Sequence, residues 1–145
     1  MNMALSIVLQ ASMVATSHQG YTEAYHKTKS TGKSLVVLVG ADWCPGCVQM
    51  KNRIMPQVEK KGGLNNVEVA YVNSDNDSDL AGKLLSGGMI PQLIVYKKTA
   101  RGWHREQLTG AHSVGETKQF LEQNSKALTR KAPAKTASAK PATKK

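Results

Sequence analysis

The placement of the two cysteines constrains this chain most: they sit in Trp43-Cys44-Pro45-Gly46-Cys47, directly after the apolar run Leu35-Val36-Val37-Leu38-Val39. An apolar run bounded by turn residues reads as a buried strand, and the segment beyond it reads as the opening of a helix. Cys44 then lies at the mouth of that helix and Cys47 one turn inside, close enough for the sulfurs to bond and part with little backbone movement. A bridge closing so short a loop restricts the unfolded chain far less than one closing a long loop. Its value is therefore reversible dithiol chemistry more than bracing.

The chain has 145 residues, 40% of them apolar and 21% charged, which fits one soluble domain with one core. The net charge of +10 resembles a nucleic-acid signal only until it is placed along the sequence. From Lys126 onward there are 7 basic residues and no Asp or Glu, so only 3 net positive charges belong to the rest. Residues 131–145 carry no aromatic or large aliphatic side chain, and two prolines interrupt any helix. Residues 126–145 are expected to be a disordered basic Lys/Ala/Pro tail. Such a tail can contact a polyanion or an anionic membrane weakly, but it offers no stacking or shaped element for specific nucleic-acid binding.

Residues 1–18 form a moderately apolar leader ending in small residues, with Gln10 inside it and no Lys or Arg before it. It reads as the remainder of a secretory signal or as a first strand, and a periplasmic or other extracytoplasmic location is placed slightly ahead of a cytoplasmic one.

Between these ends, residues 19–125 are expected to be the folded domain. Residues 20–29 read as a helix with Tyr21 and Tyr25 on one face, stopping at Thr31-Gly32. After the strand at 35–39, Cys47, Met50, Ile54 and Val58 follow helical spacing, with a kink expected at Pro56 and a stop at Gly62-Gly63. Residues 67–72 read as a strand. Residues 73–77 supply capping groups for a short helix carrying Leu80, Leu84 and Leu85. Ile90 and residues 93–96 form a further strand that pairs with 103–108, and a final helix carries Val114, Phe120 and Leu121. This order gives an α/β fold, a mixed central sheet flanked by helices on both faces.

At the helix mouth, free amide hydrogens and the helix dipole favour a thiolate, so Cys44 is expected to be the exposed nucleophile and Cys47 the shielded resolving thiol. Pro45 suits an early helical position because its missing N–H would go unpaired there, and Gly46 leaves the surface over the sulfurs open. Trp43 reads as a lid facing substrate, with a core position as the alternative.

The Trp43-Cys44-Pro45-Gly46-Cys47 motif after a buried strand, the Met89-Ile90-Pro91 segment opening a later strand, and the order of elements around them together resemble the thioredoxin superfamily over about residues 21–124. The resemblance implies a thioredoxin fold with a cis Pro91 beside the disulfide, and Ile90 offering its backbone to an extended substrate peptide. It implies protein thiols and disulfides as substrates and an upstream dithiol reductase as electron source. Expected catalytic residues are Cys44 and Cys47; Trp43, Pro45, Gly46, Ile90 and Pro91 are expected to meet substrate. The species expected is a monomer without cofactor or metal.

The chain departs from ordinary thioredoxin in reading Pro-Gly where that protein has Gly-Pro, and in placing Leu38 where a buried strand aspartate assists the resolving thiol. Ala41-Asp42-Trp43-Cys44 is similar instead to the thioredoxin domains of DsbD-type bacterial thiol reductases and small thioredoxin-like proteins near them; Asp42 can tune the thiols or simply face solvent. The expected activity is protein-disulfide reduction, with a non-catalytic thioredoxin-fold binding or assembly role as the alternative. Other signals are weak. His18, His26, His104 and His112 lack the paired spacing a zinc site needs. Thr31-Gly32-Lys33-Ser34 has the end of a phosphate loop without its upstream glycine, and residues 73–79 lack the glycine and glutamate of a calcium loop.

Overall fold

The computed structural model describes residues 20–126. The leader at 1–18 and the tail beyond Lys126 lie outside the described residues.

The period-two alternation of the central strand organises the molecule. Strand β1 (Ser34–Gly40) is buried on both sides up to Val39. Leu35, Val37 and Val39 face one core layer and Val36 and Leu38 the other, as successive side chains on a strand must. Helix α1 (Tyr21–Thr31) ends at Gly32, whose left-handed φ of 74° lets its N–H close back on the Thr28 carbonyl. Strand β2 (Val67–Asn73) pairs parallel to β1. Strand β3 (Gln92–Thr99) pairs antiparallel to the other side of β1, and β4 (Gly102–Thr109) antiparallel to β3. The sheet order is β2-β1-β3-β4. The outer strand β4 carries His104, Arg105 and Glu106, charged or ionisable side chains that discourage further strand pairing.

The helical run after the cysteines comprises α2 (Pro45–Gln49), a π-helical turn (Met50–Ile54) and α3 (Met55–Lys60). It packs on one face of the sheet together with α5 (Val114–Ser125), burying Met50, Ile54, Met55, Val58 and Leu121 against Val36, Leu38, Leu93 and Val95. Ala24 from α1 and Ala81 and Leu84 from α4 (Ser78–Leu84) cover the opposite face. Helices therefore lie on both faces of a mixed sheet.

Three local expectations are adjusted. The irregularity expected at Pro56 appears as the π turn just before it, where the Met55 N–H donates to the Met50 carbonyl; a widened turn accommodates a proline that has no N–H for the regular ladder. Asp77 occupies the N-cap of α4 without a side-chain cap bond, because the polar run is used otherwise: the Asn73 Oδ1 accepts from the Asp75 N–H at 2.9 Å. Leu85 falls just beyond α4, in extended backbone at its C-cap.

Candidate active site

The end of β1 hands the chain through residues 41–43 to the N-terminus of α2, and the two cysteines sit on that junction. Cys44 is the N-cap of α2, and its Sγ accepts from the Cys47 N–H at 3.3 Å. Pro45 follows in the first turn, where the N–H it lacks has no partner in any case. Cys44 and Cys47 are joined as a disulfide, with Cα atoms 5.2 Å apart. Relative exposures are 8% for Cys44 and 4% for Cys47, so the expected contrast between an exposed and a shielded cysteine is corrected to two buried sulfurs, Cys44 the more accessible. Ile90 packs against the cluster that the two cysteines form with Ala41.

The loop before β3 completes the site. The Ile90–Pro91 peptide bond is cis, and Cys44 Sγ lies 4.0 Å from the Ile90 carbonyl oxygen. Gly46 faces the same loop: a Cβ there would stand 3.5 Å from Pro91 Cδ and 3.3 Å from Ala111 Cβ. Trp43 is 70% exposed, which excludes the core alternative for its ring. Asp42 is exposed and its Oδ2 accepts from Asn73 Nδ2 at 2.8 Å, tying the segment before the cysteines to the end of β2.

Three residues gain a place that the sequence did not signal clearly. Met89 is as exposed as Trp43 and immediately precedes Ile90, putting a second apolar side chain on the surface next to the cis-proline loop. Gln92 is fully buried, and its amide accepts from the Ser86 N–H at 3.1 Å and donates to the Ser86 and Met89 carbonyls at 2.9 and 3.0 Å. It holds the 86–91 loop in shape. Its signal was a polar residue at the head of an apolar strand. Gly40 is the third: a Cβ on it would stand 2.8 Å from Cys47 Cβ and 3.0 Å from Cys47 Sγ, so only glycine lets the helix seat Cys47 against the end of β1.

Chemically, a disulfide at a helix N-terminus, beside the Ile90 carbonyl and with Trp43 and Met89 exposed nearby, is built for thiol-disulfide exchange. The family model described as thioredoxin matches residues 13–123. The chain belongs to the thioredoxin family. Among curated proteins it is similar to the chloroplastic 5'-adenylylsulfate reductase 3 of Arabidopsis thaliana, 33% identical over 89 residues, which is 61% of this chain and 19% of that protein. The chain thus spans about a fifth of the length of this relative. In fold it resembles a thioredoxin from Thermus thermophilus, with a TM-score of 0.61 and 24% identity over 72% of this chain and 82% of the other. Chloroplastic thioredoxin z superposes with a TM-score of 0.58 and 21% identity, covering 72% and 89% of the two chains. A thioredoxin-family chain whose Cys-X-X-Cys pair is in disulfide contact fits a thiol-disulfide oxidoreductase.

Proposed function

We propose that the protein reduces disulfides in other proteins, with Cys44 as nucleophile and Cys47 as resolving thiol. The position of Cys44 carries this reading: it caps a helix N-terminus, is the less buried sulfur, and lies 4.0 Å from the Ile90 carbonyl beside Pro91. In the reduced protein the Cys44 thiolate attacks one sulfur of the substrate disulfide, forming a mixed disulfide and releasing the other as a thiolate that takes a proton from solvent. Cys47 then loses its proton and attacks Cys44 Sγ, expelling the second substrate thiolate and closing the Cys44–Cys47 disulfide. Two electrons pass to the substrate, and an upstream dithiol protein restores them by the same exchange in reverse.

Ile90 offers its backbone to the substrate main chain, Pro91 and Gly46 keep the approach to Cys44 low, and Trp43 flanks it. Residues 19–125 are the catalytic unit, acting as a monomer, and the basic tail adds only weak contacts with polyanions or anionic membranes. The direction is that of a reductant, a reading supported by the similarity of Ala41-Asp42-Trp43-Cys44 to the thioredoxin domains of DsbD-type reductases.

The test is insulin reduction by Cys44→Ser and Cys47→Ser variants. Cys44→Ser is expected to abolish turnover, and Cys47→Ser to accumulate mixed disulfides detectable by mass on non-reducing gels. Equal residual turnover in both variants would overturn the assignment and leave a binding or assembly role.

A further inference from the structure

The end of the sheet remote from the disulfide carries positive charge that the redox chemistry does not use. Strand β1 begins there at Ser34, which a rise of about 3.3 Å per residue places about 20 Å from Gly40. A cavity of about 410 Å³ opens at this end, beside the turn Thr31-Gly32-Lys33-Ser34 and the close of α5. Lys33, Lys97, Lys98 and Lys126 line it. Alternation along β3 sets Lys97 on the same face as Leu93 and Val95, in the layer that Leu121 of α5 covers, and it is only 7% exposed. Among the described residues its ammonium makes one hydrogen bond, to the Lys126 carbonyl at 3.4 Å, and no ion pair. An ammonium has three donors, and a charge taken out of water is costly unless it is paired.

We propose that this cavity binds a phosphate-type oxyanion, either the free anion or the phosphate group of a small ester, with Lys97 as its buried anchor and Lys33 and Lys98 at the rim. The carboxylates nearby are already engaged. Glu122, the one acidic residue of the lining, pairs with Lys118 at 2.8 Å, and Glu68 lies 3.5 Å from Lys33. Four ammonium groups against one paired carboxylate leave the lining positive, and a dianion meets several cations at once. The segment Thr31-Gly32-Lys33-Ser34 contributes here through its lysine side chain and not as a phosphate loop: the Gly32 N–H is bonded to the Thr28 carbonyl at 2.9 Å and the Lys33 N–H to Thr31 Oγ1 at 3.3 Å. The volume suits a small ligand, and no aromatic side chain lines the cavity to stack a nucleic-acid base. Residues 127–145 hold no acidic side chain, so they repel the lining instead of filling it. The site is independent of the proposed disulfide reduction.

The experiment is isothermal titration calorimetry of the oxidised full chain with inorganic phosphate and, separately, with AMP, at an ionic strength held constant with chloride. Saturable binding of one equivalent is expected. Lys97→Gln is expected to weaken it by about tenfold, since a charge-assisted hydrogen bond is lost, with Lys97→Arg retaining most of it. Lys140→Gln removes the same charge from the tail and is expected to leave the affinity unchanged. Tighter binding of AMP than of phosphate assigns the site to an ester, and the reverse assigns it to the free anion. No saturable binding of either probe overturns the proposal. Equal losses in Lys97→Gln and Lys140→Gln overturn it in favour of diffuse attraction to the whole chain, and wild-type affinity in Lys97→Gln reduces Lys97 to a cap on the last turn of α5.

Discussion

Gly40 packs directly on Cys47, so closely that a single added methyl would stand 2.8 Å from Cys47 Cβ. Both neighbours are fixed, one in the central strand and the other in the first helical turn, so neither yields cheaply. Gly40→Ala is therefore expected to destabilise the protein by about 1–3 kcal/mol, the usual cost of overpacking, and to slow insulin reduction by displacing Cys47. Denaturant midpoints and the insulin assay measure the two effects; a variant unchanged in both would show that the contact is slack.

Gln92 gives a second prediction. Replacing it with Leu keeps the volume but leaves the Ser86 N–H and two loop carbonyls without their buried partner. Three hydrogen bonds worth about 0.5–1.5 kcal/mol each are lost, so the loop carrying Ile90 and Pro91 is expected to loosen. Hydrogen exchange at residues 86–91 should accelerate and KM for a disulfide substrate should rise. Unchanged exchange there would deny Gln92 its positioning role.

The N-terminus of α5 offers a pH test. The Ser113 hydroxyl and backbone N–H both donate to Glu116, while the Ser113 Oγ accepts from the Glu116 N–H, a complete capping box. The Ser113 side-chain bond, then its backbone bond, hold the Glu116 carboxyl below its ordinary value. A depressed folded-state pKa means a contribution present above the usual carboxylate range and lost as pH falls through the folded value. Ser113→Ala should cost about 1 kcal/mol at neutral pH, as loss of an N-cap does. The gap from wild type should narrow in acid; thermal melts at pH 7 and pH 3 check it, and a gap that widens in acid would contradict the assignment.

Removing residues 127–145 should leave insulin reduction nearly unchanged while weakening binding to heparin. Those residues hold 6 of the 20 lysines and arginines and no acidic residue, so the retained chain loses most of its net positive charge without losing any of the site. A large fall in catalytic rate would show that the tail takes part in the reaction.

How far the sequence could be read follows from how local each signal is. The apolar run at 35–39 and the Trp-Cys-Pro-Gly-Cys segment after it placed β1, the helix mouth and the disulfide, because hydrophobic period and helix-start chemistry act over a few residues. The four strands and their connections followed from the same patterns. Gly40 was silent, and Gln92 signalled no more than a polar residue at a strand head, because their roles arise only when distant segments meet: a glycine at a strand end reads as a turn residue until a helix is laid on it. The exposure of Cys44 was misjudged for the same reason, since Ile90 reaches it from 46 residues away along the chain, whereas Cys47 is shielded as expected. The π turn was foreshadowed by Pro56, but its position was set by the packing of Met50 and Ile54 on the sheet.

The most direct test of the central claim is the equilibrium reduction potential of the Cys44–Cys47 pair, titrated against dithiothreitol with thiol trapping. A reductant of protein disulfides should show one reversible two-electron transition near the thioredoxin value of about −270 mV. No reversible transition, or a potential as oxidising as about −120 mV, would contradict it: the first would leave a non-catalytic domain and the second an oxidant.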